Sequence, residues 1–98
     1  MPDRLDLSVF EPHVGDVFGV DAGEHGTIDM TLSAARPGPW QPEGETAVAF
    51  ELMFRGPAAP MLPQATYRME HPGTGPLEIF IVPLAQSAEG VTYQAVFS

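Results

Sequence analysis

The chain has no lysine and no cysteine, and its only basic side chains apart from three histidines are Arg4, Arg36, Arg55 and Arg68. Against them stand 13 acids, for a formal charge of −9. Such a surface repels phosphate backbones and anionic lipid, which argues against nucleic-acid and membrane partners. Without lysine there is no Schiff-base amine. Without cysteine there is no disulfide framework, thiolate metal site or thiol nucleophile. No segment approaches the roughly 18 apolar residues of a membrane-spanning helix. The N-terminus, MPDRLDLSVF, lacks the basic region and apolar core of a secretory leader. The expectation is cytoplasmic synthesis without a signal peptide.

What is present suffices for one core. The chain is 44% hydrophobic, with six Phe, two Tyr and one Trp, and at 98 residues it is long enough for a single domain, 1–98. Ten glycines and eleven prolines fall in clusters between apolar runs, where they act as punctuation and form no low-complexity tract.

The stretch Thr46–His71 organises the rest. Val48, Phe50, Leu52 and Phe54 fall on one face and Ala47, Ala49, Glu51 and Met53 on the other, the period-two pattern of a strand with one buried side. Gly56, Pro57 and Pro60 end it, and a second strand follows over Thr66–His71. Upstream, Ser8 and Glu11 match a capping box, which predicts one helical turn over Val9–His13. Val17–Val20 reads as a short strand without clean alternation, and Asp21–Gly26 as an exposed turn. Ile28, Met30 and Leu32 define a half-solvated strand, followed by a Pro/Gly loop over Arg36–Gly44 that carries Trp40. Downstream, Leu77–Val82 (LEIFIV) predicts a strand covered on both faces or lying mid-sheet. Ala85–Gly90 reads as a polar turn, and Val91, Tyr93, Ala95 and Phe97 share a face of the last strand. About six to seven short strands at regular spacing, with no long helix, predict an all-β fold: a small antiparallel barrel or sandwich.

Residues that carry chemistry form no constellation in the sequence. His13, His25 and His71 are far apart, with no HxH or HExxH pattern and no His-plus-carboxylate cluster at ligand spacing, so no metal is assigned. Ser8, Ser33, Ser87 and Ser98 lack a nucleophile-elbow setting. Glu43 and Glu45 sit in a Pro/Gly loop, where two acids ordinarily mean solvation, and Asp21 with Glu24 lacks the alternating ligands of a calcium loop. No glycine-rich phosphate cradle follows a strand, so no cofactor is expected. Two features stand out. Arg55, beside Gly56 and Pro57 at the end of the organising strand, is either an ion-pair partner for a nearby acid or an interface anchor. Trp40, between Pro39 and Pro42, is either a lid on the core or a partner-facing aromatic.

Several spaced elements together resemble a known family. They are Phe10-x-x-His13-Val14-Gly15-x-x-Phe18-x-Val20, Phe50-x-Leu52-x-Phe54-Arg55-Gly56-Pro57, Leu62-x-Gln64-x-Thr66-Tyr67-x-Met69-x-His71-Pro72, Phe80-Ile81-Val82-Pro83 and Tyr93-Gln94-Ala95-Val96-Phe97. The pattern is similar to that of the DUF6916 group of small bacterial proteins of unknown function. Ala65 and Ser98 stand where that family more often has Gly and Asn. The resemblance implies gene neighbours of the phage-tail collar or tail-fibre type. It also implies incorporation into an extracellular or phage-tail-like assembly.

The expectation is therefore a non-enzymatic structural or accessory protein of such an assembly, acting by self-association, as a homo-oligomer or filament, or by binding a protein partner. The mechanism would be strand pairing at a sheet edge, or docking of an apolar patch formed by Trp40, Arg55, Pro57, Met61 and Leu62. The alternative is a small β-barrel binding a sugar or apolar molecule, with Trp40, Tyr67 and Tyr93 at its mouth.

Overall fold

Alternation along the strands closes this chain on itself. A computed structural model describes residues 7–37 and 50–97. Its strands are β1 (Val17–Asp21), β2 (Thr27–Pro37), β3 (Phe50–Gly56), β4 (Ala65–Glu70), β5 (Leu77–Ser87) and β6 (Gly90–Phe97). They form a closed barrel in the order β1-β2-β3-β6-β5-β4, every neighbouring pair antiparallel. The all-β expectation is met in its barrel form. Among the described residues closure gives each strand a neighbour on both sides, which leaves no whole strand edge free for an edge-pairing mechanism.

One side chain in two along each strand points inward. From β3 come Phe50, Leu52 and Phe54, from β5 Ile79 and Ile81, and from β6 Val91, Tyr93 and Ala95, all buried. Phe18 meets Phe54 edge-on at a ring-centroid distance of 5.7 Å, a favourable aromatic geometry. Gly56 occupies an inward position between Met30 and Tyr93, where a Cβ would come within 3.3 Å of each. The core leaves room there for no side chain without adjustment.

One end of the barrel is plugged by the segment before β1. A single helical turn, α1 (Leu7–Phe10), runs into a 3₁₀ turn over Glu11–His13, slightly earlier than the predicted turn at 9–13. These turns deliver Phe10, fully buried, onto Phe50 and Phe97 at 5.9 and 6.0 Å. Phe50 and Phe97 are themselves paired across β3 and β6 and stack with rings 5° from parallel.

Four sequence expectations need correction. Leu62 is a core residue, only 2% exposed, because the β3–β4 connection dips inward and its backbone N–H donates to the buried Tyr93 hydroxyl at 2.9 Å. It is not available to a partner. The LEIFIV run does lie mid-sheet, with β5 between β6 and β4, but it is covered on one face only: Ile79 and Ile81 are buried, while Phe80 is 50% exposed, since a barrel strand has a single inner side. β5 continues through the supposed turn to Ser87, pairing with Gly90 after a bulge between Pro83 and Ala85, so only Ala88 and Glu89 turn the chain. Finally, Val17–Asp21 does alternate, with Phe18 and Val20 inside and Val17 outside. Val48 and Trp40 lie outside the described residues.

Two substitutions check this packing. Phe54→Ala should lower the unfolding free energy by about 3–5 kcal/mol in a urea titration. Tyr93→Phe, which strands the buried Leu62 N–H, should cost about 1–3 kcal/mol with little change in far-UV circular dichroism.

Candidate functional site

Closure of the barrel rests on a short seam. β1 and β4 share just two residue pairs, Gly19 with Glu70 and Val20 with Met69. One position beyond, the ladder is replaced by side chains. Phe18, at the β1 end, stacks on the ring of His71, which follows β4, with centroids 4.6 Å apart and planes tilted by 31°. His71 is also 4.5 Å from the ring of His13, which the 3₁₀ turn supplies.

The carboxylate of Asp16 bridges the two rings. His13 Nδ1 donates to Asp16 Oδ2 at 3.1 Å, and His71 Nε2 donates to the same oxygen at 2.9 Å. The backbone holds Asp16 in place from both directions. Its N–H donates to the His13 carbonyl, its carbonyl accepts from the Leu32 N–H, and the preceding Gly15 N–H donates to the Leu32 carbonyl. His71 is held by its own turn: its carbonyl accepts from the Thr74 and Gly75 N–H groups. The Gly73 N–H donates to His71 Nδ1 at 2.8 Å, which assigns the proton to Nε2 and aims it at Asp16. The side chains are graded in exposure, 10% for His71, 22% for His13 and 46% for Asp16, so the carboxylate is the outermost member.

The two hydrogen bonds from His13 and then His71 hold the Asp16 carboxyl below its ordinary value of 3.8. Glycine at 73 is a steric requirement of the same cluster, since a Cβ there would fall 2.5 Å from His13 Cε1.

The cluster has metal-ligating chemistry: one nitrogen from each imidazole and one carboxylate oxygen, all within 4.8 Å of one another. In the sequence His13 and His71 are far apart, and the apparent lack of a His-plus-carboxylate cluster does not survive folding. The available signal was the His13-x-x-Asp16 spacing with glycine at 15, which suits a four-residue turn that brings its two ends together; here the Asp16 N–H closes it on the His13 carbonyl. Nothing local points to His71 as the third member.

The residues singled out in the sequence are not brought together in this way. Arg55, 51% exposed at its side chain, sits 3.6 Å from Glu89, the ion-pair option of the two considered. Together with Pro57 it borders a shallow depression lined by Thr27, Asp29 and Glu89. Met61, 48% exposed, borders a second depression with Pro83, Leu84 and Gln86. Tyr93 does not line a mouth, because it is buried; Tyr67 is half-buried, and its hydroxyl donates to the Pro63 carbonyl at 2.7 Å.

The Asp16 cluster makes two predictions. A carboxyl group whose folded value is depressed adds stability that is complete above its unfolded value and lost as pH falls through the folded one. Thermal melts of the wild type should therefore lose this contribution at pH values below 3.8, and Asp16→Asn should remove that part of the acid dependence. Gly73→Ala should leave the barrel folded but swing the His13 ring off Asp16, seen as a shifted His13 imidazole resonance with His71 less affected.

Compared with curated proteins and with solved structures, the chain matches none. The sequence profile of one family, described as a domain of unknown function (DUF6916), matches residues 5–97 and so takes in both strands of the seam and all three members of the cluster. The chain belongs to the DUF6916 family.

Proposed function

We propose that this protein is a non-enzymatic structural or accessory component of a larger protein assembly, of the phage-tail or fibre type, and that it works through its outer surface. One observation carries the reading. The inner face of the barrel is filled by its own side chains, whereas large apolar groups stand exposed along the outer face of β5 and beside it. Phe80 and Leu84 of β5 are 50% and 52% exposed, Val96 of β6 is 62% exposed, and Met61 shares a depression with Leu84. The register that sets Val82 opposite Gln94 carries Phe80 toward Val96 two residues further along. Apolar side chains aligned on one outward face favour burial against another protein surface.

Docking of a sheet face replaces edge pairing as the mechanism. The stripe follows β5 and leaves Arg55 and Pro57 at the periphery, where an exposed ion pair adds orientation more than affinity. The phage-tail character of the assembly comes from the resemblance set out above. A ligand-binding barrel has less to support it, because the Tyr93 side chain expected at a mouth is part of the packed interior.

The experiment is light scattering across a concentration series, with capture of purified tail-fibre proteins alongside it. A defined oligomer, a filament or a stoichiometric complex is expected, and the double variant Phe80→Ser, Leu84→Ser should abolish it while unfolding at an unchanged temperature. A wild type that stays monomeric and captures no fibre protein, or a double variant that associates as the wild type does, would refute the reading.

A further inference from the structure

The cluster at the seam has the donor set of a metal centre, with its three ligating atoms within 4.8 Å of one another. Ligands bonded to one ion at about 2.0–2.2 Å stand roughly 3 Å apart. Asp16 Oδ2 is already 3.1 Å from His13 Nδ1 and 2.9 Å from His71 Nε2. We propose that His13, Asp16 and His71 bind a single divalent d-block cation, Zn²⁺ being the best matched, in place of the two hydrogen bonds that now join them.

Two imidazoles and one carboxylate are a borderline donor set that suits zinc and its neighbours over magnesium or calcium. Asp16, the most exposed of the three, keeps one side of the site open to a water ligand. The chain's charge of −9 raises the local concentration of cations. The three groups are already brought together by backbone hydrogen bonds and ring packing, so the rearrangement left for binding is confined to the turn after His71 and to the ring protons.

One contact opposes ligation, and the turn that makes it supplies the remedy. A neutral histidine that ligates through Nε2 carries its proton on Nδ1 and needs an acceptor there. At present Nδ1 of His71 faces a donor, the Gly73 N–H. The residues His71-Pro72-Gly73-Thr74 form a turn closed by the Thr74 N–H on the His71 carbonyl, with Gly73 outside the positive-φ region. Pro followed by Gly is also the preferred pair for a type II turn, which keeps the same closing hydrogen bond but needs positive φ at the glycine. The present turn, with Gly73 outside the positive-φ region, differs from a type II turn by rotation of the Pro72–Gly73 peptide. That rotation removes the Gly73 N–H from His71 Nδ1 and turns the Pro72 carbonyl to the side it leaves. The proton then moves from Nε2 to Nδ1, and the Nε2 lone pair is free for the ion. In this scheme the turn sets the tautomer, and the tautomer decides between a hydrogen-bonded clamp and a metal site.

The test is calorimetric titration of the metal-free full chain with Zn²⁺ near neutral pH, together with long-range ¹H–¹⁵N spectra of the histidine rings. One ion per chain is expected. His13→Gln and His71→Gln, whose amides keep a donor for Asp16, should each weaken binding by about 10-fold or more, and His25→Gln should not. In the wild type, independently of how well any variant folds, His71 should pass from an Nε2-protonated to an Nδ1-protonated ring at saturation. Absence of one-to-one binding, equal affinity in the two glutamine variants and the wild type, or a His71 Nδ1 that stays unprotonated with Zn²⁺ bound would each overturn the proposal.

Discussion

Everything in this barrel depends on closing it between its first and fourth strands. The other strand pairs run over five to seven registered positions, whereas β1 and β4 meet at only two. Two backbone pairs are little to hold a cylinder shut, and the deficit is made up by side chains beyond the ladder. Phe18 under His71 continues the seam as a ring contact, and Asp16 receives both histidines. The charged acceptor matters, because hydrogen bonds to an ionised carboxylate are stronger than neutral ones. The same bonds lower the pH at which Asp16 takes up a proton.

The seam also ties the N-terminal segment to the barrel. His13 belongs to the turn that carries Phe10 over the aromatic pair Phe50 and Phe97, so the plug at the barrel end and the clamp at the seam are two contacts of one short stretch. Tolerance to change should be uneven as a result. Gly73 and Gly56 are confined by neighbours that a Cβ would meet, whereas a Cβ on Gly15 would meet nothing within 4 Å and only its positive φ favours glycine.

The same arrangement separates two roles on the surface. The outer face of β5 presents Phe80 and Leu84 with no buried partner, a feature suited to contact with another protein. The His13–Asp16–His71 cluster belongs instead to the seam, where its members serve the fold first. Any ion bound there would act on closure, and so on the stability of the domain, before it acted on anything outside.

Strand content and most of the core were legible in the sequence, because period-two alternation is a local property of the chain. Phe50, Leu52 and Phe54 announce their inner face within a few residues, as do Ile28, Met30 and Leu32. Three other features were not legible. The LEIFIV run looks two-sided, since hydropathy alone cannot say that a strand will have one covered face, and Phe80 ended outside. Leu62 sits in a proline-rich connection that reads as a surface loop, and only the buried Tyr93 hydroxyl draws its backbone inward. The joining of His71 to His13 and Asp16 spans 55 residues in sequence and follows from the register that closes β1 on β4. Alternation determined which side chains face inward. Which distant residues meet was decided by closure, a condition on the whole cylinder that no single stretch of the chain contains.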